Sequence, residues 1–222
     1  MKKLLTVTLL LLFTFTLTSC KGEEVVLPTG YDIPEEGTVI KNNLPYYDFF
    51  RLNNPVITIT VKDMGDIVIE LFPEQAPNTV ANFIAYAERG DYVDNTFHRV
   101  MVDFMIQGGR LTSPSCTIQG EMNNNPSFTG DNTISHKRGV ISMARVGGNY
   151  DSGSSQFFIV HADSLFLDDE YASFGGVISG FNILDFIANM NDGVSQVTYE
   201  PVYIENITVE LNGYTAPTTV CE

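Results

Sequence analysis

Arg99 and Gln107 stand eight residues apart, with Phe104 and Met105 between them. An arginine guanidinium is always charged and holds its donors in a rigid fork. Beside apolar side chains it offers a fixed hydrogen-bond donor to whatever charge or lone pair develops there. Each of these residues alone has a plain structural explanation. Arg99 would be a surface cation, Met105 a gap filler, and Phe158 a core residue of a strand. Other chemistry is harder to build from this chain. His136 and His161 lie far from any Cys-rich or acidic ligand spacing, so neither reads as a metal ligand. Glu70 and Asp103 offer paired carboxylates, but nothing around them marks a sugar site.

The elements that must position these residues are short. Val56, Ile57, Ile59 and Val61 form a β-branched run, Asp63-Met64-Gly65-Asp66 is turn-like, and Ile67 to Leu71 is a second strand. Together they read as a hairpin. Pro77 suits a first helical position, Val80, Phe83, Ile84 and Ala87 recur at helical spacing, and Gly90 suits a stop. Apolar runs follow at 97–106, 139–144, 156–160, 172–178 and 202–211, separated by loops rich in Gly, Asn and Ser. A second helix is expected near 182–190, with Ile183, Phe186 and Ile187 on one face. Many strands and two helices predict a mainly β closed barrel or sandwich.

The chain has 222 residues, 44% hydrophobic and 18% charged, which is enough apolar material for a core. Its formal charge is −15, from 12 Lys+Arg against 27 Asp+Glu. That balance argues against nucleic acid as a partner, because phosphate binding needs clustered cations. It argues equally against electrostatic adhesion to anionic lipid. The first residues are an address. Met1-Lys2-Lys3 is basic, an apolar run follows, and Leu17-Thr18-Ser19-Cys20 closes it. This is the layout of a secretory signal, and its end resembles a bacterial lipobox, with cleavage before Cys20 and lipid on its thiol. Removing residues 1–19 takes away Lys2 and Lys3 and moves the charge from −15 to −17. Acyl chains anchor by burying methylene groups at about 0.8 kcal/mol each. An exported chain is permitted disulfides, and Cys116 and Cys221 are the cysteines left to pair. Residues 20–54, interrupted by Pro28, Pro34 and Pro45, read as an acidic tether. Tyr46, Tyr47, Phe49 and Phe50 are expected to pack on the domain's side. The domain spans 55–211, and 212–222 reads as a frayed tail.

Several blocks, taken in order, carry a resemblance. They are Ile69-Glu70-Leu71-Phe72 with Ala76-Pro77-Asn78-Thr79 and Asn82-Phe83; Phe97-His98-Arg99-Val100 with Phe104-Met105-Ile106-Gln107-Gly108-Gly109; Gly139 to Arg145; Gly153 to Ile159; Phe166-Leu167-Asp168; and Phe174-Gly175. Across residues 55–211 the chain resembles the cyclophilin-type peptidyl-prolyl cis-trans isomerases. The resemblance implies a closed eight-stranded antiparallel β-barrel capped by two α-helices. It implies acceleration of X-Pro isomerisation with no cofactor and no metal, by a monomer acting on proline-containing segments of exported proteins.

The resemblance also distributes roles. Arg99 would meet the proline nitrogen, and Gln107 would hold the guanidinium and contact substrate backbone. Phe104, Met105, Phe158 and Leu167 would form the proline pocket. Ala144 and Arg145 would offer backbone groups to the peptide before the proline, and Gln156 would line the adjoining groove. Phe166 and Tyr171 would stand at the rim, and His98 would orient or pack nearby. Phe166 stands where the family has a well-known tryptophan, which weakens the expectation of tight cyclosporin binding. Tyr171 stands where a rim histidine is common. The loop 111–132 departs from the pattern. The same features admit a non-catalytic chaperone that holds proline segments, or a surface adhesion lipoprotein.

Overall fold

The structure is a computed structural model that describes residues 33–114, 116–191 and 193–219. The hairpin expected at the start is present, as β1 (Val56–Val61) and β2 (Gly65–Leu71). Helix α1 is Pro77–Glu88, with proline in its first turn. The apolar run 97–106 is not one strand. Asp103 takes a positive φ of 58° and folds it into a hairpin of β4 (Arg99–Met101) and β5 (Met105–Gly108), preceded by the two-residue β3 (Asn95–Thr96). Then come β6 (Val140–Met143), β7 (Phe157–Val160), β8 (Ser173–Ser179), α2 (Phe181–Asn189) and β9 (Tyr203–Glu210).

These strands make one antiparallel sheet in the order β3-β9-β1-β2-β8-β6-β7-β5-β4. It has nine strands rather than eight, and it curls into a half-barrel rather than closing. The reason lies at its ends. β3 and β4, the two end strands, do not pair with one another, and the outer edge of β4 is taken by a loop. Val100 N donates to Gln196 O at 2.8 Å, and Asn191 Nδ2 donates to Val100 O at 2.5 Å. An edge covered by a loop is protected from further strand addition.

Period-two alternation sorts side chains between two cores. Val100, Ile106, Ile141, Phe157 and Ile159 face the interior with residues of both helices. Met105, Phe158, Val160 and Leu167 face the other side and form a smaller cluster with Tyr46 and Phe72. The site is built on that second face.

Residues 33–54, read as tether, pack against the domain, as expected for Tyr46, Phe49 and Phe50, while Tyr47 stays exposed. Tyr46 is buried and donates its hydroxyl to Val177 O at 2.5 Å. Its ring lies over Gly176, where a Cβ would collide with it. Phe49 and Phe50 pack on Phe72. The buried carboxylate of Glu70 on β2 receives Lys41 Nζ at 2.5 Å, Arg51 N at 3.0 Å and Asn54 Nδ2 at 2.9 Å. Glu36 accepts from Gly180 N and Phe181 N at the start of α2. An acidic group is favoured at that end of a helix. Gly180 has φ 92°, and a side chain there would run into the backbone at Asp66. In the tail, Tyr214 packs against the interior core. Cys116 is disulfide-bonded, while Cys20 and Cys221 lie outside the described residues, as does the whole signal segment.

Candidate active site

Strand register places the site. Arg99 pairs with Gln107 across β4 and β5, Gln107 with Phe158 across β5 and β7, and Phe158 with Ser142 across β7 and β6. Directly opposed residues project on the same side, so these four form one row over four strands. Met101, Met105 and Val160 form the next row. Between them and the turn Leu165–Leu167 lies a cavity of about 120 Å³. It is lined by Arg99, Phe104, Met105, Gln107, Ala144, Arg145, Phe158, Leu167 and Tyr171. Drug-sized sites run to about 300–1,000 Å³, so this one suits a single small side chain. Met105, Phe158 and Leu167 are buried and make a dry wall. Tyr171 meets Phe158 edge-on, with centroids 5.6 Å apart. A larger hollow of about 490 Å³ lies between residues 34–39 and α2, but no cation lines it.

All nine lining residues belong to the set expected from the sequence. Three expected residues stand beside the cavity. Phe166 is 71% exposed and lies against Phe104 at 5.5 Å. Gln156 accepts from Gln107 Nε2 at 3.1 Å. His98 is half-buried, and its ring nitrogens lie near Thr96 and Gln156 without a well-formed hydrogen bond. Burial first, and then the Arg110 guanidinium, hold its pKa below the ordinary 6.5. A neutral ring at that position leaves the positive charge of the site to arginine.

Two expected contacts are drawn differently. Gln107 is opposite Arg99 but gives its amide to Gln156, and Arg99 Nε donates instead to Gln196 Oε1 at 2.9 Å. Arg99 Nη2 reaches Met101 Sδ at 3.2 Å, and the guanidinium carbon lies 5.7 Å from the Phe104 ring centre. Ala144 N is already bonded to Gln156 O at 2.9 Å, which leaves its carbonyl as the backbone group for a peptide. The Arg145 guanidinium is held by Glu170 and lies 4.7 Å from both the Tyr150 and Tyr171 ring centres. It braces the rim and is not a free cation.

Sequence reasoning missed a chain of three polar side chains beneath the pocket. His136 Nδ1 is 2.9 Å from Asp168 Oδ1, and its Nε2 is 2.8 Å from Ser142 Oγ. The composition suggests a nucleophilic triad, but Ser142 and His136 have no exposed surface, so no substrate reaches the hydroxyl. The chain instead joins the pocket's walls. His136 stacks under Phe158, and Asp168 follows Leu167. His136 and Ser142 are six positions apart and Asp168 is a further 26 on, so no local pattern joins the three.

Burial holds the His136 pKa below 6.5 despite the Asp168 carboxylate. A depressed value in the folded state means that stability is complete above the unfolded value, near 6.5, and is lost as pH falls through the folded one. Denaturant midpoints measured between pH 7.5 and 5 should therefore decline for wild type. His136→Asn should be less stable at pH 7.5 and should decline less steeply. Equal slopes for the two proteins would contradict the assignment. Burial opposes the Asp168 carboxylate, but the hydrogen bonds from His136 and Ser135 outweigh it and lower its pKa. Its contribution is lost only at more acidic pH, below the ordinary 3.8.

The loop 111–132 supports these elements. Glu121 accepts from Asn78 N at 3.0 Å and Thr79 N at 2.7 Å at the start of α1, and burial raises its pKa. Asn132 Nδ2 ties the loop to Glu121 O and Ser173 O.

Comparison with known proteins agrees with the geometry. Residues 56–209 match the family model of the cyclophilin type peptidyl-prolyl cis-trans isomerases. A peptidyl-prolyl cis-trans isomerase B of Bacillus subtilis is 41% identical over 138 residues, covering 60% of this chain and 88% of the relative. A peptidyl-prolyl cis-trans isomerase of Acinetobacter baylyi is 36% identical over 163 residues, covering 67% and 82%. A solved cyclophilin type isomerase from Cryptosporidium parvum, crystallised in the presence of the dipeptide Ala-Pro, superposes with a TM-score of 0.62 at 27% identity, covering 70% of this chain and 98% of its own.

Proposed function

Because the chain belongs to the cyclophilin-type peptidyl-prolyl cis-trans isomerases, we propose that it accelerates X-Pro exchange in exported proteins near a membrane, held there by lipid on Cys20, with Arg99 as the group that meets the twisting amide. The observation that carries the site reading is the convergence of the Arg99 guanidinium, the Gln107 amide and a dry apolar wall on a cavity sized for a proline ring.

The chemistry follows from the amide. Rotation breaks resonance at a barrier of about 18–20 kcal/mol, and uncatalysed exchange takes tens to hundreds of seconds. No covalent bond breaks, so neither nucleophile nor general acid is needed. In the twisted state the proline nitrogen pyramidalises and gains a lone pair. A donor aimed at that nitrogen binds the twisted state more tightly than either planar one, which is what lowers a barrier. Millisecond exchange requires roughly 10⁵-fold, or about 7 kcal/mol. One hydrogen bond supplies part of this. Seating the ring against Met105, Phe158 and Leu167, and holding the peptide at Gln107 and the Ala144 carbonyl, supplies positioning.

In a coupled assay, wild-type protein should accelerate the slow cis phase of a proline tetrapeptide. The same peptide with alanine for proline should not compete for the site. Tight binding of the proline peptide with no acceleration would instead favour a holding chaperone. The anchor has its own test. Among the described residues no helix is long and apolar enough to cross a membrane, and the mature charge repels anionic headgroups. Cys20→Ser should abolish palmitate labelling and move the protein from the membrane to the soluble fraction. Retention of membrane association by Cys20→Ser would overturn the anchor.

A further inference from the structure

We infer that Gln196, in the loop between α2 and β9, is a positioning residue that aims the Arg99 guanidinium, an inference that rests on the reading of Arg99 given above. Gln196 meets β4 twice. Its side-chain oxygen accepts from Arg99 Nε at 2.9 Å, and its backbone oxygen accepts from Val100 N at 2.8 Å. Asn191, from the other arm of the same loop, takes the opposite backbone group of Val100. The loop is closed at its base, where Asn191 bridges to Thr198 and Tyr199 N donates to Met190 O at 3.1 Å. The segment is thus fastened to β4 at the residue carrying the candidate cation and at its neighbour.

The backbone at Gln196 has φ 59°. L side chains enter that region at a cost, and such a conformation persists only where surrounding contacts fix it. Here those contacts are the two bonds to β4. Their consequence is directional. A guanidinium is planar, so tying Nε to Gln196 and Nη2 to Met101 sets the line along which Nη1 points. Among the described residues Nη1 has no partner. The choice of an amide also matters. A carboxylate at this position would hold the same nitrogen but neutralise the charge, whereas glutamine leaves it for the proline nitrogen.

The test compares wild type, Gln196→Ala and Gln196→Gly in peptide exchange at several peptide concentrations. The glycine variant removes the side chain while easing the positive φ, so a shared defect belongs to the lost amide. Both should lower kcat by about three- to tenfold, the kinetic equivalent of one ordinary net hydrogen bond, as suits a bond open to solvent. KM should stay within about twofold, because binding of the planar peptide does not use the aimed donor. In an Arg99→Ala background, removing Gln196 should change nothing further. Wild-type kcat in both variants, or an equal loss in the Arg99→Ala background, would overturn the inference. Full activity of Arg99→Ala alone would instead remove the reading on which it rests.

Discussion

Tyr46→Ala is expected to lower the unfolding free energy by about 3–5 kcal/mol, whereas Tyr47→Ala, one residue on, should change it by less than about 0.5 kcal/mol. The contrast is one of burial. Tyr46 is 2% exposed and Tyr47 is 46% exposed. The Tyr46 ring fills the space over Gly176, touches Phe50 and Phe72, and gives its hydroxyl to Val177. Burial raises its pKa well above the ordinary 10, so the hydroxyl stays a donor at any working pH. For a chain of this size the loss corresponds to a fall in Tm of roughly 6–20 °C. Thermal unfolding followed by circular dichroism would measure it. Equal midpoints for the two variants would mean that residues 33–54 are not docked in solution. Docking also explains the burial of Glu70, whose partners Lys41, Arg51 and Asn54 all come from this segment.

Arg99→Ala should lower kcat/KM for an X-Pro tetrapeptide by about 10²–10³-fold, the usual cost of removing one preorganised donor from a transition state. Arg99→Lys should recover only a small part of this. It keeps the charge but loses the fork through which Gln196 and Met101 fix the group. Neither variant should shift Tm by more than a few degrees, because Arg99 lies at the rim and is only half-buried. Full recovery by lysine would mean that charge suffices and that the aim of the group does not matter.

Legibility in the sequence followed the range of the contacts. The hairpin and both helices were readable because their periods are local: Val56 to Leu71 alternates, and Val80, Phe83, Ile84 and Ala87 repeat along one helical face. The nine residues lining the cavity were readable as a set because their blocks occur in family order, although Phe158 or Met105 alone says nothing. That Tyr46 packs on the domain was readable from its apolar neighbours, but the identity of distant partners was not. Tyr46 meets Val177 across 131 residues, and Gln196 meets Arg99 across 97. Neither leaves a local pattern. The open sheet was unreadable for the same reason, since closure failed at β4, where a loop from beyond α2 took the edge. The His136–Ser142 contact is close in sequence, yet a buried histidine and a strand serine are commonplace until Asp168 completes them.

The most direct measurement of the central claim is two-dimensional exchange NMR on an Ala-Pro peptide, with no coupling protease, in the presence of catalytic amounts of protein. Wild type should produce cis/trans exchange cross-peaks at mixing times far shorter than the uncatalysed tens of seconds, and Arg99→Ala at equal concentration should leave them near the uncatalysed level. Cross-peaks as strong with Arg99→Ala as with wild type, or none with wild type, would contradict a guanidinium-stabilised amide rotation in this pocket.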